Sequence, residues 1–384
     1  MRFEFATSGR IIFGAGAYED FGSMAGQLGR RALVVRGSSH DRVKPLLAML
    51  DTANTEYTSF EVRGEPAVSQ IADGVKQARE AGSDLIIGIG GGSVIDSAKA
   101  IAGLVTNPGT ISDYLEVIGK GRQLSIPALP CVAIPTTAGT GAEVTRNSVL
   151  ASPEDRVKVS LRSQFLLPRL AVVDPKLTCD LPSSVTASSG LDALTQLIEP
   201  FVSIRANPVT DGFCTEGMRR AARSLRTACE QGQDLAARED MALASLLGGL
   251  SLANAGLGAV HGFASPIGGM FHAAHGAVCA ALLPHVMSVN LRALRERFPE
   301  SDSLSRYGSV AKILTRSEDA TAMDGINWVT DLCKTLRIPG LRAYGVTADD
   351  SPVLVQEAAK ASSMKANPIV LTKDELTEVL QAAL

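Results

Sequence analysis

The amino-acid sequence predicts a chain of two parts, an N-terminal α/β domain with a doubly wound parallel sheet and a C-terminal all-α domain. In the first half, short apolar and β-branched runs alternate with longer amphipathic stretches. In the second half, strand-like runs give way to long segments rich in Ala and Leu. The change falls near Pro182, so the predicted domains are residues 1–182 and 183–384.

The strands of the first domain are predicted from continuous apolar runs that end at Gly, Thr or Pro. Helical patterns at residues 68–81 and 93–104 separate these runs. Buried strands linked by helices are typical of a parallel sheet that is covered on both faces. The predicted strands are residues 32–36, 84–88, 131–135 and 170–174.

The helices of the second domain are predicted from apolar residues that recur at three- and four-residue spacing. This spacing places the apolar side chains on one face of each helix. The predicted helices are residues 185–202, 211–230, 235–256, 277–294, 319–336 and 373–384.

The composition excludes several classes of function. The 384 residues include 37 basic and 40 acidic side chains, for a net charge of −3, without the basic cluster that nucleic acids or membrane surfaces require. Charged residues near the N-terminus and the lack of a long apolar run argue against a signal peptide or a membrane span. We therefore expect a soluble, cytoplasmic protein. Its six cysteines lack CxxC spacing and are expected to be reduced and buried.

A glycine-rich turn follows the predicted strand at residues 84–88. Gly90, Gly91 and Gly92 precede Ser93, where the next helix opens. Without Cβ atoms, the backbone N–H groups at the helix start can close around a phosphate oxygen. The spacing is neither the usual dinucleotide motif nor a P-loop, and the alternative is a tight connection without a ligand. Its place between strand and helix favours a pyrophosphate site.

A second loop, at residues 134–145, also follows a predicted strand. Thr136, Thr137 and Thr140 offer hydroxyl groups that can bind ribose and phosphate oxygens. Ligands of open α/β sheets bind at this carboxyl edge of the strands. The alternative is an ordinary Thr/Gly loop.

Four of the five histidines lie within 25 residues, at His261, His272, His275 and His285. We expect the helix that carries His261 to break near Gly268 and Gly269 and the chain to return with His275. Two such imidazoles and a carboxylate from another helix form a three-point metal site with room for substrate.

Asp192, at the start of an apolar helix, is the candidate carboxylate of this site. The alternative role for Asp192 is stabilisation of its helix dipole, and any single histidine can be a buried structural ring. His285 is expected to be structural.

Together these motifs resemble the iron-containing (group III) alcohol dehydrogenase family over essentially the whole chain. The resemblance implies a dehydroquinate synthase-like fold, a nucleotide-binding α/β domain and a helical domain for metal and substrate. It also implies NAD or NADP, a divalent metal (Fe or Zn), a small alcohol, aldehyde or ketone substrate, and a homodimer or larger homo-oligomer. The matching segments are 13–16, 90–99, 135–141, 173–175, 190–194, and His261 with His275 and Gly276.

The resemblance also implies roles for individual residues. The residues implied to bind the metal are Asp192, His261 and His275. The residues implied to bind the cofactor are Gly91, Gly92 and Ser93 at the pyrophosphate, Asp96 near the nicotinamide ribose, and Thr136, Thr137, Thr140 and Lys158 elsewhere on the nucleotide.

The chain departs from the family pattern at two positions of the metal site. Gln196 and Ser265 stand where the family usually has histidines. An amide oxygen is a poorer ligand than imidazole for a borderline metal, so the retention of ferrous iron is in doubt. Related glycerol dehydrogenases and dehydroquinate synthases imply a three-ligand zinc site, with Gln196 free to bind metal or substrate. Similar maleylacetate reductases imply a metal-free alternative.

The choice between NAD and NADP is expected to depend on the end of the first predicted strand. Arg36 is followed there by Gly37, Ser38 and Ser39, where NAD-preferring relatives present an acid to the adenosine ribose. An arginine and two hydroxyls can accept a 2′-phosphate, so NADP is slightly favoured. The alternative is a solvated arginine at a strand end.

The predicted reaction is reversible hydride transfer between NAD(P)H and an aldehyde or ketone, with a metal that polarises the carbonyl. His272 is the candidate for relaying a proton to the alkoxide. Two other classes stay open. One is a dehydroquinate-synthase-like lyase, although residues 192–201 lack the basic residues that its substrate needs. The other is a nucleotide-binding protein that has lost catalysis, as Gln196 and Ser265 suggest.

Overall fold

The computed structural model describes residues 2–271 and 273–384. The chain divides into two compact units. The α/β unit comprises residues 6–137 and 141–179, and the helical unit comprises residues 2–5, 138–140 and 180–384.

The α/β unit is built on a parallel sheet of six strands among its described residues. The strand order is β1-β8-β5-β4-β2-β3. β2 pairs with β3 on one side and with β4 on the other, so the order reverses at β2. Ligands of doubly wound sheets bind at the carboxyl ends of strands beside such a reversal. The strands are β1 (Ile11–Phe13), β2 (Arg31–Arg36), β3 (Glu56–Glu61), β4 (Leu85–Gly90), β5 (Cys131–Pro135) and β8 (Leu170–Val173).

Helices cover both faces of this sheet because alternate strand residues point to opposite sides. Leu33 and Ile86 pack with the face of α4 and α5, whereas Val34 and Ile87 pack with the face of α1 to α3. The predicted doubly wound architecture is therefore confirmed. The helices are α1 (Ala17–Asp20), α2 (Gly22–Leu28), α3 (Lys44–Thr52), α4 (Val68–Glu80) and α5 (Gly92–Thr106).

An antiparallel hairpin of β6 (Asn147–Ser152) and β7 (Val157–Arg162), which we did not predict from the sequence, follows the second loop. Two polar residues of α5 hold it. The Asp96 carboxylate accepts a hydrogen bond from Val149 N at 3.0 Å, and the buried Lys99 Nζ donates to Asn147 O at the start of β6. This contact depends on partners far apart in the chain, which is why periodicity did not reveal it.

The helical unit contains no strand among its described residues, as predicted. Glycines allow its helices to approach closely: a Cβ on Gly190 would lie 2.2 Å from Leu225 Cδ1, and one on Gly217 would lie 2.4 Å from Leu197 Cδ2. The helices are α6 (Ser183–Val202), α7 (Pro208–Glu230), α8 (Leu235–Ala255), α9 (Ala259–Phe271), α10 (His275–Arg297), α11 (Asp302–Thr315), α12 (Ala322–Thr335), α13 (Ser351–Lys360) and α14 (Lys373–Ala382).

The predicted break near Gly268 and Gly269 is wrong, because α9 continues through both glycines to Phe271. A glycine costs a helix only about 1 kcal/mol relative to alanine. The buried contacts of Phe263 and Ile267 on the same helix offset a cost of that size.

The helix α10 is long and apolar enough to cross a membrane by length and composition alone. However, 78% of its most apolar 18-residue window is buried inside the fold. A core helix of a folded domain has this property, because it is surrounded by other helices rather than by solvent.

Candidate functional site

One face of α6 carries three buried polar side chains at helical spacing. Asp192, Gln196 and Glu199 stand at positions i, i+4 and i+7, which share a face of an α-helix. All three side chains are buried. Buried polar groups need partners, so this face marks a site rather than ordinary core.

Asp192 lies beside the imidazoles of His261 and His275. Asp192 Oδ1 is 3.4 Å from His261 Nε2 and 3.7 Å from His275 Nε2. The two imidazole rings are 5.4 Å apart between their centroids. The three residues that the sequence predicted as metal ligands therefore converge on one point within the helical unit.

Two glycines make this convergence possible. A Cβ on Gly276, in the first turn of α10, would lie 2.6 Å from Ser188 O of α6. A Cβ on Gly258, just before α9, would lie 2.8 Å from Glu199 Oε1. A side chain at Gly276 would meet the backbone of α6 and push His275 away, and one at Gly258 would displace the Glu199 carboxylate that holds His261.

Glu199 fixes the orientation of the His261 ring. Its Oε2 lies 2.6 Å from His261 Nδ1, and its Oε1 accepts a hydrogen bond from Val260 N at 2.8 Å. The carboxylate accepts a hydrogen bond from Nδ1–H, so Nε2 is the ring nitrogen that faces Asp192 and that can bind a cation in place of its proton. Glu199 thus ties the first turn of α9 to α6 and sets the tautomer of His261.

Electrostatics in this cluster favour positive charge. Burial by itself lowers the pKa of His261, but the neighbouring Cys279, Glu199 and Asp192 outweigh burial and raise that pKa well above its usual value. Burial raises the pKa of Asp192, yet His275 and His261 outweigh it and lower the pKa below the usual range. The cluster therefore attracts a cation.

The thiol of Cys279 is part of the same cluster. Its Sγ lies 3.8 Å from His261 Nε2 and 3.7 Å from His275 Nε2. Asp192, His261, His275 and Cys279 each offer a ligand atom, and these atoms all lie within 4.8 Å of one another. Sequence analysis missed Cys279, although its position four residues after His275 on one helical face was a usable signal.

The donor set fits a divalent metal. Asp192 Oδ1 is buried and makes no hydrogen bond to any part of the chain that the structure describes, although two imidazole nitrogens face it. Such a buried acceptor is costly unless a cation or donor satisfies it. Carboxylate and imidazole are ligands that zinc and iron both accept.

The remaining histidines and Gln196 have different surroundings. Gln196 Oε1 is buried without a hydrogen-bond partner among the described residues and lies beside Gly248 of α8. His285 lies ten residues after His275 on α10, where burial lowers its pKa. Ser265 lies within α9. His272, the predicted proton relay, lies outside the described residues.

The glycine-rich turn joins β4 directly to α5. A Cβ on Gly88 would lie 2.7 Å from Ala98 Cβ, and one on Gly90 would lie 2.6 Å from Val94 Cγ2, so both glycines have structural roles. Gly91 is different: its Cβ would meet only Thr137, at an ordinary 3.4 Å. No side chain among the described residues caps the start of α5. The N–H groups of Gly92 and Ser93 at this end are suited to bind an anion.

The second loop lies next to the glycine turn. Gly90 of β4 pairs with Pro135 of β5, and Thr136 N donates a hydrogen bond to Gly90 O at 2.9 Å. Thr136 and Thr137 therefore follow the strand that neighbours the glycine turn, as predicted. Thr140 belongs to the helical unit, where a Cβ on Gly139 would lie 2.8 Å from Ser189 Cβ.

The end of β2 carries the residues that bear on cofactor choice. Arg36 pairs with Ile89 across β2 and β4, and Gly37 lies beside Val94 of α5. Arg36 Nη1 lies 3.2 Å from Glu61 Oε2 at the end of β3. Glu61 was not anticipated from the sequence, because only the pairing of β2 with β3 brings it beside Arg36. Ser38 and Ser39 are exposed.

Two other predicted cofactor residues have partners in the protein. Asp96 lies 2.8 Å from Lys99 Nζ and holds β6, and burial raises its pKa. Lys158 Nζ lies 3.0 Å from Glu65 Oε1. Both residues have a structural role in the α/β unit, and their contacts with a nucleotide stay predictions.

Comparison with known proteins places both halves of the chain in one family. The family model described as iron-containing alcohol dehydrogenase matches residues 8–175. The model of the C-terminal part of the Fe-containing alcohol dehydrogenase family matches residues 186–384.

Individual relatives agree over nearly the full length. The chain is 35% identical to Alcohol dehydrogenase 4 of Saccharomyces cerevisiae over 343 residues, which are 89% of this chain and 86% of that protein. It is 35% identical to a 1,3-propanediol dehydrogenase of Klebsiella pneumoniae over 390 residues, 99% of this chain and 98% of that protein. The crystal structure of a 1,3-propanediol oxidoreductase superposes with a TM-score of 0.92 at 34% identity and covers 100% of both chains. The chain therefore belongs to the iron-containing alcohol dehydrogenase family, and it is an oxidoreductase that interconverts an alcohol and an aldehyde with a nicotinamide cofactor.

Proposed function

We propose that Asp192, His261 and His275 hold a divalent metal, Zn or Fe, that activates a small alcohol, aldehyde or ketone. One observation carries this proposal: the buried Asp192 Oδ1 lies within 3.7 Å of two imidazole nitrogens and has no hydrogen-bond partner among the described residues. When bound, the metal supplies a Lewis acid at the substrate oxygen, and NAD(P) gives or accepts the hydride.

The protein residues divide the work around this centre. Asp192 contributes the negative charge, and Glu199 holds the His261 ring so that Nε2 faces the other donors. His275 is the open side of the cluster, with 33% of its side chain exposed, whereas Asp192 and His261 are buried. Substrate therefore approaches from the His275 side. His272, three residues before His275 in the sequence, is the proposed proton relay to the alkoxide oxygen of the substrate.

The proposed cofactor site is the carboxyl edge of β4, β5 and β2. The N–H groups of Gly91, Gly92 and Ser93 bind the pyrophosphate, and the backbone can approach closely because Gly91 lacks a Cβ. Asp96, Thr136, Thr137, Thr140 and Lys158 complete the proposed nucleotide contacts.

We further propose a modest preference for NADP over NAD. Arg36, Gly37 and Ser38 are the proposed binders of the 2′-phosphate, because arginine and hydroxyl groups suit phosphate oxygens. The carboxylate of Glu61 pairs with Arg36 and reduces the attraction of Arg36 for a phosphate group. We therefore expect the preference to be small.

The roles of the two domains, the class of substrate, the location and the oligomeric state are also proposals. Residues 1–182 form the NAD(P)-binding domain and residues 183–384 form the domain for metal and substrate. The net charge of −3 without a basic cluster supports a small-molecule substrate rather than nucleic acid or a membrane surface. A cytoplasmic location and a homodimer or larger homo-oligomer complete the assignment.

The experiment that tests this function is a carbonyl reduction assay on chelated and metal-reloaded protein. Consumption of NADPH and NADH is followed by absorbance with a panel of small aldehydes and ketones. We expect chelation to abolish turnover and added Zn²⁺ or Fe²⁺ to restore it. Full activity after complete metal removal would contradict the metal-assisted reaction. Product formation without net cofactor consumption would indicate a lyase, because a lyase regenerates its cofactor.

A further inference from the structure

We infer that Cys279 Sγ is a fourth ligand of the metal, so that this chain holds its ion through one carboxylate, two imidazoles and one thiolate. The inference rests on the proposed function, since it concerns the same metal. It adds a residue to the site and makes zinc the favoured metal.

The distances in the cluster agree with a tetrahedral site. At the usual bond lengths of zinc, the donor atoms of a tetrahedral site lie about 3.3–3.6 Å from one another. Four of the six separations in this cluster, between Asp192 or Cys279 and the two histidine Nε2 atoms, are 3.4, 3.7, 3.7 and 3.8 Å, slightly longer than in a filled site, and the other two are at most 4.8 Å. Small movements of the side chains would bring all four donors to bonding distance of one ion.

The placement of Cys279 follows from the geometry of α10. His275 is the first residue of this helix, and Cys279 follows it by four residues, so both side chains lie on the face toward α6. The close approach of Gly276 to α6 brings this face to Asp192. Cys279 is fully buried, so its thiol faces the imidazoles and not solvent.

Two buried acceptors on α6 lack hydrogen-bond partners among the described residues, and the one beside the imidazoles, Asp192 Oδ1, points to a bound cation. Asp192 Oδ1 and Gln196 Oε1 are both buried, and neither has a hydrogen-bond partner in the described parts of the chain. Gln196 stands where the resemblance implies a histidine ligand, and its neutral amide is a weak donor for zinc or iron. Cys279 supplies the stronger donor that Gln196 does not provide.

Charge balance also favours the thiolate. A dication in a buried site needs compensating negative charge. Asp192 supplies one negative charge, and Cys279 supplies the second when it binds as a thiolate. On binding, the S–H bond breaks, a metal–sulfur bond forms and the proton passes to solvent, without any change of oxidation state.

The soft thiolate selects among metals. Thiolate with imidazole suits zinc, whereas the harder oxygen ligands suit magnesium, calcium or manganese. With four protein ligands, the substrate oxygen occupies a fifth position, an expansion that catalytic zinc sites accept. We therefore expect zinc to displace iron from this protein, in contrast to the family's name.

The test is cobalt substitution of the chelated full-length protein. Co²⁺ in a tetrahedral site gives visible d–d bands, and a thiolate ligand adds a sulfur-to-cobalt charge-transfer band in the near ultraviolet. We compare the wild type with Cys279→Ala, Cys279→Ser and the matched control Cys214→Ala, which alters a buried cysteine of α7. We also measure Zn²⁺ affinity by competition with a chelator.

We expect the charge-transfer band in the wild type and in Cys214→Ala, and its loss in both Cys279 variants. Zn²⁺ affinity should fall at least about 100-fold in Cys279→Ala, since even the loss of a residue that only supports a ligand costs 10- to 100-fold. Visible bands without the charge-transfer band in the wild type would overturn the role of Cys279 while leaving the metal site in place. No cobalt binding at all would overturn both this inference and the proposed metal-assisted function.

Discussion

The glycine turn and the metal cluster are two sites built in opposite ways. The turn between β4 and α5 consists of consecutive residues, and its properties come from the backbone and from missing Cβ atoms. The cluster collects side chains from α6, α9 and α10, and Glu199 contacts His261 across 62 residues of sequence. A candidate anion site built from consecutive glycines can therefore be predicted from a local sequence pattern, whereas the donor set of a candidate metal site depends on how the helices pack.

The two sites also respond differently to substitution. In the cluster, the donors other than His275 are charged or polar groups removed from water, so the loss of one leaves the others unsatisfied. In the turn, the binding groups are backbone amides that no side-chain substitution removes.

The largest effect is expected for loss of a buried ligand. His261→Gln should lose the bound metal and reduce kcat/KM by about 10³-fold, since a metal contributes several kcal/mol to the transition state. The measurements are metal content and aldehyde reduction. The matched control is His285→Gln, which changes another histidine of the helical unit and should keep metal and activity. Equal losses in both variants would contradict the site.

The next largest effect is expected for the residue that orients a ligand. Glu199→Gln should weaken Zn²⁺ binding by about 10- to 100-fold, because the amide no longer holds His261 with a full charge. The measurement is Zn²⁺ affinity by chelator competition.

A buried acid in the other unit provides the control for Glu199. Glu143→Gln should leave Zn²⁺ affinity unchanged. Burial raises the pKa of Glu143 to about 7, so below that pH the native side chain is already mostly neutral and the amide resembles it. Unchanged zinc affinity in Glu199→Gln would show that Glu199 has a packing role only.

A smaller effect, on cofactor binding alone, is expected at the glycine turn. Gly91→Ala should weaken NAD(P)H binding at least about tenfold, because the new Cβ occupies the space where the pyrophosphate approaches the backbone. Its thermal stability should stay close to wild type, since Gly91 has ordinary backbone angles and room for a Cβ. Fluorescence titration with NADPH and a melting curve measure the two properties.

Gly88→Ala is the contrasting variant of the same turn. Its Cβ would overlap Ala98 Cβ at 2.7 Å, so this variant should lower the melting temperature. If Gly91→Ala instead lost stability and kept its cofactor affinity, the turn would be a connection and not a binding site.

The smallest effect is expected at the Arg36–Glu61 pair. Glu61→Gln should shift the ratio of kcat/KM for NADPH over NADH upward by about threefold, because Arg36 then has its full charge for the 2′-phosphate. Glu56→Gln, at the exposed start of the same strand, is the control. A ratio that falls or stays constant would indicate that Arg36 does not meet the 2′-phosphate.

The prediction of the fold from sequence was accurate where patterns are local. The predicted strand at 131–135 and the helix at 68–81 match β5 and α4 within one residue. Errors arose where contacts between residues far apart in the sequence determine the secondary structure. The hairpin of β6 and β7 is held by Asp96 and Lys99 of α5, and the continuity of α9 depends on packing that offsets two glycines.

Sequence reasoning found two histidines of the side-chain cluster but not all of their partners, and metal binding by this cluster stays a prediction. The unusual density of histidines pointed to His261 and His275, and the apolar helix made Asp192 conspicuous. Glu199 gave no comparable signal, and for Cys279 the only signal was its position four residues after His275, because an acid or a cysteine in an apolar helix is common. Their roles appear only when α6, α9 and α10 are packed together.

The sequence alone determined the two fold classes, the glycine turn between a strand and a helix, and the three side chains Asp192, His261 and His275 that meet in the helical unit, whereas phosphate and metal binding by these residues stay predictions. Each of these follows from periodicity, from glycine's missing Cβ or from a rare residue type, all of which act over a few neighbouring residues. The tertiary structure alone decided that Cys279 joins the cluster, that Glu199 orients His261 and that Glu61 pairs with Arg36. The physical reason is that burial and the distances between charges are properties of packed helices and paired strands, and these join residues far apart in the chain.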